Sequence, residues 1–484
     1  MISRFGNRCS SSIRNAFVRQ FRYDTHFYTN RQLHYLKIPC KNSNEQKTIP
    51  ISPEKLEEIA SEFGTPFQLY DEAAIRKNAR ELISTFSTRF PGFRQYFAVK
   101  ALPNPAILKI LIDEGCGLDC SSVAELYIAN KLGLSDQNSV VYTSNYTAKE
   151  DLNMAKDLGV LINLDDESLV NSFDNEMPEM ISFRLNPGLG RTDSETKSNV
   201  LGGPDAKFGV PPDRIIESYR AARDAGAKRF GIHMMTGSCV LNDDYWQDTV
   251  TKLLTTIHEI KETLGVKIEL MNIGGGLGIP YRPEETSVDL SRLANRLQDT
   301  LNIESKKLGL EVPRLCMENG RYMTGPYGYL VSRCRAEKQS WDRYLGLDSC
   351  MANLMRPGMY NSYHHITVPS RENDSSGRED VNVVGTLCEN NDWFAKDRSL
   401  PSSATVGDLF VIHDTGAHSH SMGFQYNGKL RAPELLLRED GSVSLIRERE
   451  TIESLYSNCV MPDDLTLGSS SSSSSNSSAG DVCV

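Results

Sequence analysis

The chain has 484 residues, 39% of them apolar, with 53 basic against 63 acidic side chains and a net charge of −10. That length suits two domains with room for a large core, and the acidic balance argues against a nucleic-acid surface. No apolar run approaches the length of a membrane-spanning helix, so neither nucleic acid nor a membrane is an expected partner. The eleven cysteines are scattered, without a CxxC or a paired zinc spacing. They read as reduced intracellular thiols, and no metal site is expected.

Before the first acid, Asp24, stand five arginines (Arg4, Arg8, Arg14, Arg19, Arg22) and Ser3, Ser10, Ser11 and Ser12. Ile13, Phe17 and Phe21 fall at helical spacing. Residues 1–25 therefore read either as an organellar transit peptide, mitochondrial or plastid, or as a disordered basic extension of a cytoplasmic protein. Residues 26–51 are expected to form an N-terminal strand segment joining a β domain. From 52 to 330 short apolar runs alternate with helical patterns. A helix over 54–63 leads to the strand Phe67-Gln68-Leu69-Tyr70, and a helix over 72–86 to the strand that ends at Lys100. Further strands are expected at Val140–Tyr142, Leu161–Leu164, Ile181–Leu185, Phe230–His233, Ile268–Asn272 and Arg314–Met317. Repeated β-then-α units imply a parallel sheet, and about eight strands with polar ends suit a closed (β/α)8 barrel of the α/β class. Over 331–465 strand-like runs such as Leu409–Ile412 dominate, which indicates a separate β domain, barrel or sandwich. Residues 466–484 contain seven consecutive serines, Ser469 to Ser475, and read as a disordered tail.

Four segments carry candidate chemistry. Lys100 ends the run Gln95-Tyr96-Phe97-Ala98-Val99, at the strand end where a barrel places reactive groups. Burial there would depress its pKa and favour Schiff-base chemistry with an aldehyde; alternatively the amine snorkels out to water. Gly274-Gly275-Gly276 follows a strand but does not fit GxGxxG, because Ile279 stands where the last glycine belongs. Successive glycines let backbone N–H groups approach a phosphate, and Ser238 could add a hydroxyl to the same group. Glu318-Asn319-Gly320-Arg321 ends another strand, with a carboxylate able to hold a pyridinium N–H and an arginine able to bind a carboxylate or phosphate. Cys388-Glu389 lies in the β-rich half among polar neighbours.

In this order the segments resemble the pyridoxal-phosphate decarboxylases of fold-type III, the ornithine/diaminopimelate/arginine decarboxylase family with its alanine racemase-like barrel. Within that family the resemblance is to the diaminopimelate decarboxylases. It spans roughly Ser52 to Leu445. The matching stretches are Tyr96-Phe97-Ala98-Val99-Lys100-Ala101, Asp119-Cys120-Ser121-Ser122, Lys207-Phe208-Gly209, the triple glycine, Glu318-x-Gly320-Arg321, Arg356-Pro357-Gly358-Met359-Tyr360, Cys388-Glu389 and Asp414-Thr415-Gly416-Ala417. The resemblance implies that Lys100 bonds pyridoxal 5'-phosphate and that Glu318 keeps its ring nitrogen protonated. It places Asp119, Ser238, Gly274, Gly275, Gly276, Gly320, Arg321 and His418 around the cofactor. Cys388 would be the proton donor, supplied with Glu389 by the partner of a homodimer with shared active sites. Two positions depart from the pattern: Met235 stands where relatives have a histidine against the ring, and His418 where they have a tyrosine. The imidazole of His418 would add a pH dependence near neutrality.

Charge guides the expected substrate. Ornithine and lysine end in an ammonium alone, whereas meso-diaminopimelate ends in an ammonium and a carboxylate. Arg321, Arg356 and Tyr360 offer donors for that carboxylate and Glu389 a countercharge for the ammonium, since a buried unpaired charge costs on the order of several kcal/mol. The expectation is decarboxylation of meso-diaminopimelate to L-lysine and carbon dioxide. The alternatives are a related decarboxylase acting on ornithine, arginine or carboxynorspermidine, or a non-catalytic homologue.

Overall fold

The computed structural model describes residues 47–173, 176–188, 201–462 and 465. The expected transit segment, most of the expected strand segment 26–51 and the serine-rich tail lie outside the described residues.

The first strand, β1 (Phe67–Asp71), precedes a closed barrel of eight parallel strands. These are β2 (Arg94–Ala98), β3 (Gly117–Cys120), β4 (Val140–Thr143), β5 (Leu161–Leu164), β6 (Met180–Leu185), β7 (Arg229–Met234), β8 (Ile268–Asn272) and β9 (Arg314–Met317). Closure is made by β9 beside β2, with Gln95 opposite Met317. Helices between the strands cover the outside; Ile75, Leu82, Phe86, Trp246 and Leu293 belong to the large core they form with outward strand residues such as Phe97 and Leu118.

Alternate residues of a barrel strand face inward. Tyr96, Val141, Leu161, Met180, Leu270 and Cys316 form their own buried cluster, the plug of the barrel. Gly117 and Gly231 lie in the same layer, since a Cβ on Gly117 would stand 2.5 Å from the Tyr96 ring and one on Gly231 3.2 Å from Leu270. Two residues further along these strands come Ala98, Asp119, Thr143, Asn163, His233, Asn272 and Glu318, and Arg184 lies on the same face of β6 as Met180. The interior thus changes from apolar to polar within one inward step toward the C-terminal strand ends. That polar layer is the floor of the site.

The second body is mostly sheet. Its strands are β10 (Gly328–Gln339), β11 (Arg343–Leu347), β12 (Ile366–Thr367), β13 (Arg378–Val384), β14 (Trp393–Pro401), β15 (Leu409–Ile412), β16 (Glu434–Leu437) and β17 (Val443–Arg447). They form a nine-stranded sheet in the order β14-β13-β11-β10-β1-β16-β17, with β15 also on β10 and β12 on β15.

Two strand assignments from sequence are corrected here. Phe67-Gln68-Leu69-Tyr70 is flanked by helices, as a barrel strand would be, yet β1 pairs antiparallel with β10 and parallel with β16 in the second sheet. A strand buried along its length has the same pattern in either sheet. The barrel's eighth strand is instead β3, Gly117-Leu118-Asp119-Cys120, whose glycine and aspartate are residues depleted in strands. The contribution of the N-terminal side to the second sheet comes from β1 and not from 47–51, where no strand forms. The helix Pro53–Phe63, capped by Ser52, packs Leu56, Ile59 and Ala60 on Phe67, Val331, Val411 and Leu435 of that sheet. Residues 52–71 therefore belong to the second body.

The two bodies meet at Lys100. Ala101 O, on the same turn, accepts the His418 backbone N–H at 2.9 Å and the Ser421 hydroxyl at 3.2 Å. No helix among the described residues is long and apolar enough to cross a membrane.

Candidate active site

A cavity of about 320 Å³ opens at the C-terminal end of the barrel, within the size range of small-ligand pockets. Lys100, Asp119, Ser238, Gly275, Gly276, Glu318, Gly320, Arg321, Arg356, Tyr360 and His418 all line it. Lys100 is exposed to this space and not buried. The strand stops at Ala98, and Lys100 rides on the turn Val99–Ala101 that follows.

The glycine run is shaped by close backbone approach. A Cβ on Gly275 would stand 2.2 Å from Glu318 O, and one on Gly276 2.6 Å from Gly237 O. Gly274 and Gly276 hold φ of 71° and 100°, the left-handed region that favours glycine. Gly274 itself does not line the cavity; it anchors the run, its N–H donating to Asn272 Oδ1 at 2.9 Å and its carbonyl accepting Glu318 N at 2.8 Å. Gly320 lies close enough to the lysine turn that a Cβ would be 2.8 Å from Ala101 Cβ.

Glu318 is buried, and both its oxygens are engaged. Asn272 Nδ2 donates to Oε1 at 2.7 Å, and His233 Nε2 lies 3.1 Å from Oε2. Burial disfavours the Glu318 charge, but His233, Lys100 and Asn272 outweigh it and hold the carboxyl below its ordinary range. Asp119 has the opposite balance. Burial comes first, the Glu318 charge adds to it, and Asp119 is pushed well above the carboxylate range. Its Oδ1 has no hydrogen-bond partner among the described residues. Arg184 completes the floor, stacked 4.5 Å from the Phe208 ring centroid and donating to Leu201 O and Met235 O, both at 3.2 Å.

Opposite the carboxylates, Arg321 and Arg356 converge on one phenol. Both donate through Nη1 to Tyr281 Oη. Arg356 also donates to His364 Nε2 at 3.1 Å and, weakly, to Ser362 Oγ at 3.4 Å. His364 turns its other nitrogen to His413 O at 2.9 Å. Among the described residues, neither guanidinium has a carboxylate within ion-pair distance. Burial opposes the Arg356 charge, the Tyr281 oxygen supports it, and the neighbouring Arg321 opposes it again, with a net downward shift. His418 lines the same wall. Burial, then Arg321, Arg356 and Lys100, push it well below 6.5. That shift runs away from the titration near neutrality expected there from sequence.

Cys388 and Glu389 are not brought to this cavity by their own chain. Both are exposed, with the Cys388 N–H on Asn427 Oδ1 at 2.8 Å and Glu389 on a separate surface cleft beside Trp393. Sequence reasoning did not assign the supporting roles: Asn163, His233 and Asn272 behind Glu318, Arg184 on the floor, and Tyr281 and His364 behind the arginine pair. The first four had a signal, a polar residue inside an otherwise apolar barrel strand. Tyr281 and His364 lie on loops and had none. Met235 packs its sulfur along the glycine run, 2.9 Å from where a Gly274 Cβ would stand.

A lysine amine, a charged carboxylate held by donors, a glycine cradle and a cationic wall, all on the C-terminal ends of parallel barrel strands, define the class: a barrel enzyme built for a phosphorylated aldehyde cofactor. The chain belongs to the pyridoxal-dependent decarboxylases, whose pyridoxal-binding domain matches residues 76–325. It is 42% identical over 416 residues to the protein TabA of Pseudomonas amygdali pv. tabaci, covering 86% of this chain and 95% of TabA. It is 39% identical over 400 residues to the diaminopimelate decarboxylase of Methanothermobacter thermautotrophicus, covering 82% and 92%. The crystal structure of diaminopimelate decarboxylase from M. jannaschii with L-lysine superposes with a TM-score of 0.77 at 30% identity, covering 84% of this chain and 95% of that one.

Proposed function

We propose that the chain decarboxylates an amino acid whose far end bears a carboxylate as well as an ammonium, with meso-diaminopimelate as substrate and L-lysine as product. One observation carries this reading: two guanidiniums, joined through Tyr281, face the cavity without a carboxylate partner among the described residues. A cationic pair of this kind is stabilised by an anion and would repel a substrate ending in ammonium alone. The relatives named diaminopimelate decarboxylase support it. A second reading keeps the reaction and changes the substrate. The 42% identical relative carries another name, and Met235 and His418 depart from the family pattern at the cavity wall.

The residues present fit pyridoxal phosphate. Lys100 would hold it covalently. Gly275, Gly276 and Gly320, at positions with no room for side chains, would surround its phosphate together with Ser238, Arg321 and His418. Glu318 would face the ring nitrogen, and Asp119, whose orphaned Oδ1 needs a partner, would lie alongside. When bound, the cofactor supplies an electron sink for the pair left on the substrate's α-carbon as carbon dioxide departs.

The chain's own residues do the rest. Arg356 has five N–H donors, of which three are directed at Tyr281, His364 and Ser362, so two remain to bind a carboxylate side-on. Tyr360 can add its hydroxyl. Glu318, held charged by His233 and Asn272, can keep a proton on the group it faces. The barrel plug and the floor close the site from below and limit water. The returning proton would come from Cys388 Sγ. Because Cys388 lies outside its own chain's cavity, it and Glu389 would serve the site of a second copy, and the active unit would be a homodimer.

Carbon dioxide release from meso-diaminopimelate, ornithine, lysine and arginine, measured side by side, tests the substrate. Release from ornithine or lysine in preference to diaminopimelate contradicts it.

A further inference from the structure

Glu318 is not the only carboxylate in the cavity. Asp119 lines the same floor, and two buried carboxylates this close do not both ionise cheaply. Something must decide which of them is charged, and among the described residues a donor chain stands behind Glu318.

Asn163 Nδ2 lies 3.0 Å from His233 Nδ1, and His233 Nε2 lies 3.1 Å from Glu318 Oε2. All three residues are buried. An amide NH2 can only donate, so Nδ1 must accept, and the proton of a neutral imidazole is then on Nε2, the side facing the carboxylate. Turning the amide round would put Asn163 Oδ1 at Nδ1 and a proton there, and Nε2 would then face the carboxylate bare unless the imidazole carried both protons. As oriented, Oδ1 has no partner among the described residues, and Nδ2 has a second, long contact to Thr143 Oγ1 at 3.4 Å. Nε2 is within ion-pair distance of Oε2 but makes no well-formed hydrogen bond among the described residues, and such contacts tighten when the carboxylate takes up its partner. The charged groups facing this pair are Lys100 on the turn after β2, Asp119 at the end of β3 and Arg184 on β6.

We propose that Asn163 and His233 act as a positioning relay that makes Glu318, and not Asp119, the charged carboxylate of the cavity. Asn163 fixes the imidazole tautomer; His233 presents an N–H to Glu318 and holds its free edge toward the cavity. Among the described residues no such donor chain reaches Asp119. The proposal rests on the reading of Glu318 as the group that faces the cofactor ring nitrogen.

The test uses full-length protein and pyridoxal phosphate, with Asn163→Ala, His233→Ala, His233→Gln and Glu318→Gln beside the wild type. Three quantities are read: the cofactor dissociation constant, the pH titration of bound-cofactor absorbance, and the thermal midpoint. Loss of a hydrogen bond to a buried charged group should weaken cofactor binding about tenfold or more in Asn163→Ala and His233→Ala. The absorbance titration should move to lower pH in both. His233→Gln, whose amide can still donate to Glu318, should recover most of the affinity. Wild-type affinity and titration in Asn163→Ala and His233→Ala would overturn the relay. So would a lowered midpoint with affinity and titration unchanged, or His233→Gln behaving no better than His233→Ala. Glu318→Gln separates the two levels. If it is silent, the ring-nitrogen reading fails and the relay with it; if it shifts the titration while the Asn163 and His233 variants do not, the relay alone fails.

Discussion

Arg356→Met is the substitution whose effect the structure specifies most closely. The guanidinium sits in a buried frame of Tyr281, His364 and Ser362, which leaves two N–H groups for a ligand carboxylate. Hydrogen bonds to a charged group contribute roughly 1.5–3 kcal/mol. At about 1.4 kcal/mol per factor of ten, kcat/KM for meso-diaminopimelate should fall about 10- to 150-fold. The loss should sit mainly in KM, because the far carboxylate is bound equally before and during the reaction. For lysine or ornithine the same change removes a positive charge near an ammonium, so their kcat/KM should hold or rise. Arg356→Lys keeps the charge but not the fork, and should fall between the two. The assay is steady-state carbon dioxide release with each substrate, alongside the thermal midpoint. Equal losses for every substrate would show that Arg356 only braces the wall, and an unchanged diaminopimelate KM would refute its role in carboxylate binding.

Gly275→Ala should abolish cofactor binding or folding, since the new Cβ would meet Glu318 O at 2.2 Å and only a backbone shift could relieve it; an absorbance titration with pyridoxal phosphate and a thermal melt read the two outcomes. Lys100→Ala and Cys388→Ala should each be inactive alone, and mixing them under conditions that allow subunit exchange should restore part of the activity, because hybrid dimers would hold one intact site; no recovery in a confirmed hybrid would exclude shared sites. Stability should fall in mild acid. Burial lowers His413 from 6.5 to about 3, with His365 and then Lys47 adding to it. Between those pH values the unfolded chain takes the proton and the folded one does not, so stability is full above 6.5 and is lost at up to about 1.4 kcal/mol per pH unit as pH falls. His413→Gln should flatten that slope in urea unfolding measured at successive pH values.

The barrel was legible because its strands are apolar runs set between helical patterns. The count of eight came out right through two exchanged strands. Phe67–Tyr70 has the composition of a buried strand but nothing in it names the sheet it joins, and Gly117–Cys120 hides its strand behind a glycine that makes room for Tyr96 and an aspartate that serves the site. Lys100, Glu318, the glycine run, Arg321, Arg356 and Tyr360 were found because they cluster in motifs, and they meet in one cavity. Asn163, His233 and Asn272 were given no role behind Glu318 because each is a single polar letter in a strand; their meaning lies in the inward period of two and in contacts between β5, β7, β8 and β9. Tyr281 and His364 acquire theirs only when loops from the two bodies fold onto the same arginine. Cys388 and Glu389 also stand in a motif, and their own chain does not bring them to the cavity.

On the proposed reading, a carboxylate-bearing far end selects the substrate. Initial rates of carbon dioxide release from purified, cofactor-loaded protein, with meso-diaminopimelate, lysine, ornithine and arginine at equal concentration, test it most directly. Diaminopimelate should react well ahead of the three that lack a second carboxylate. Turnover of any of those three at a comparable or higher rate would contradict it.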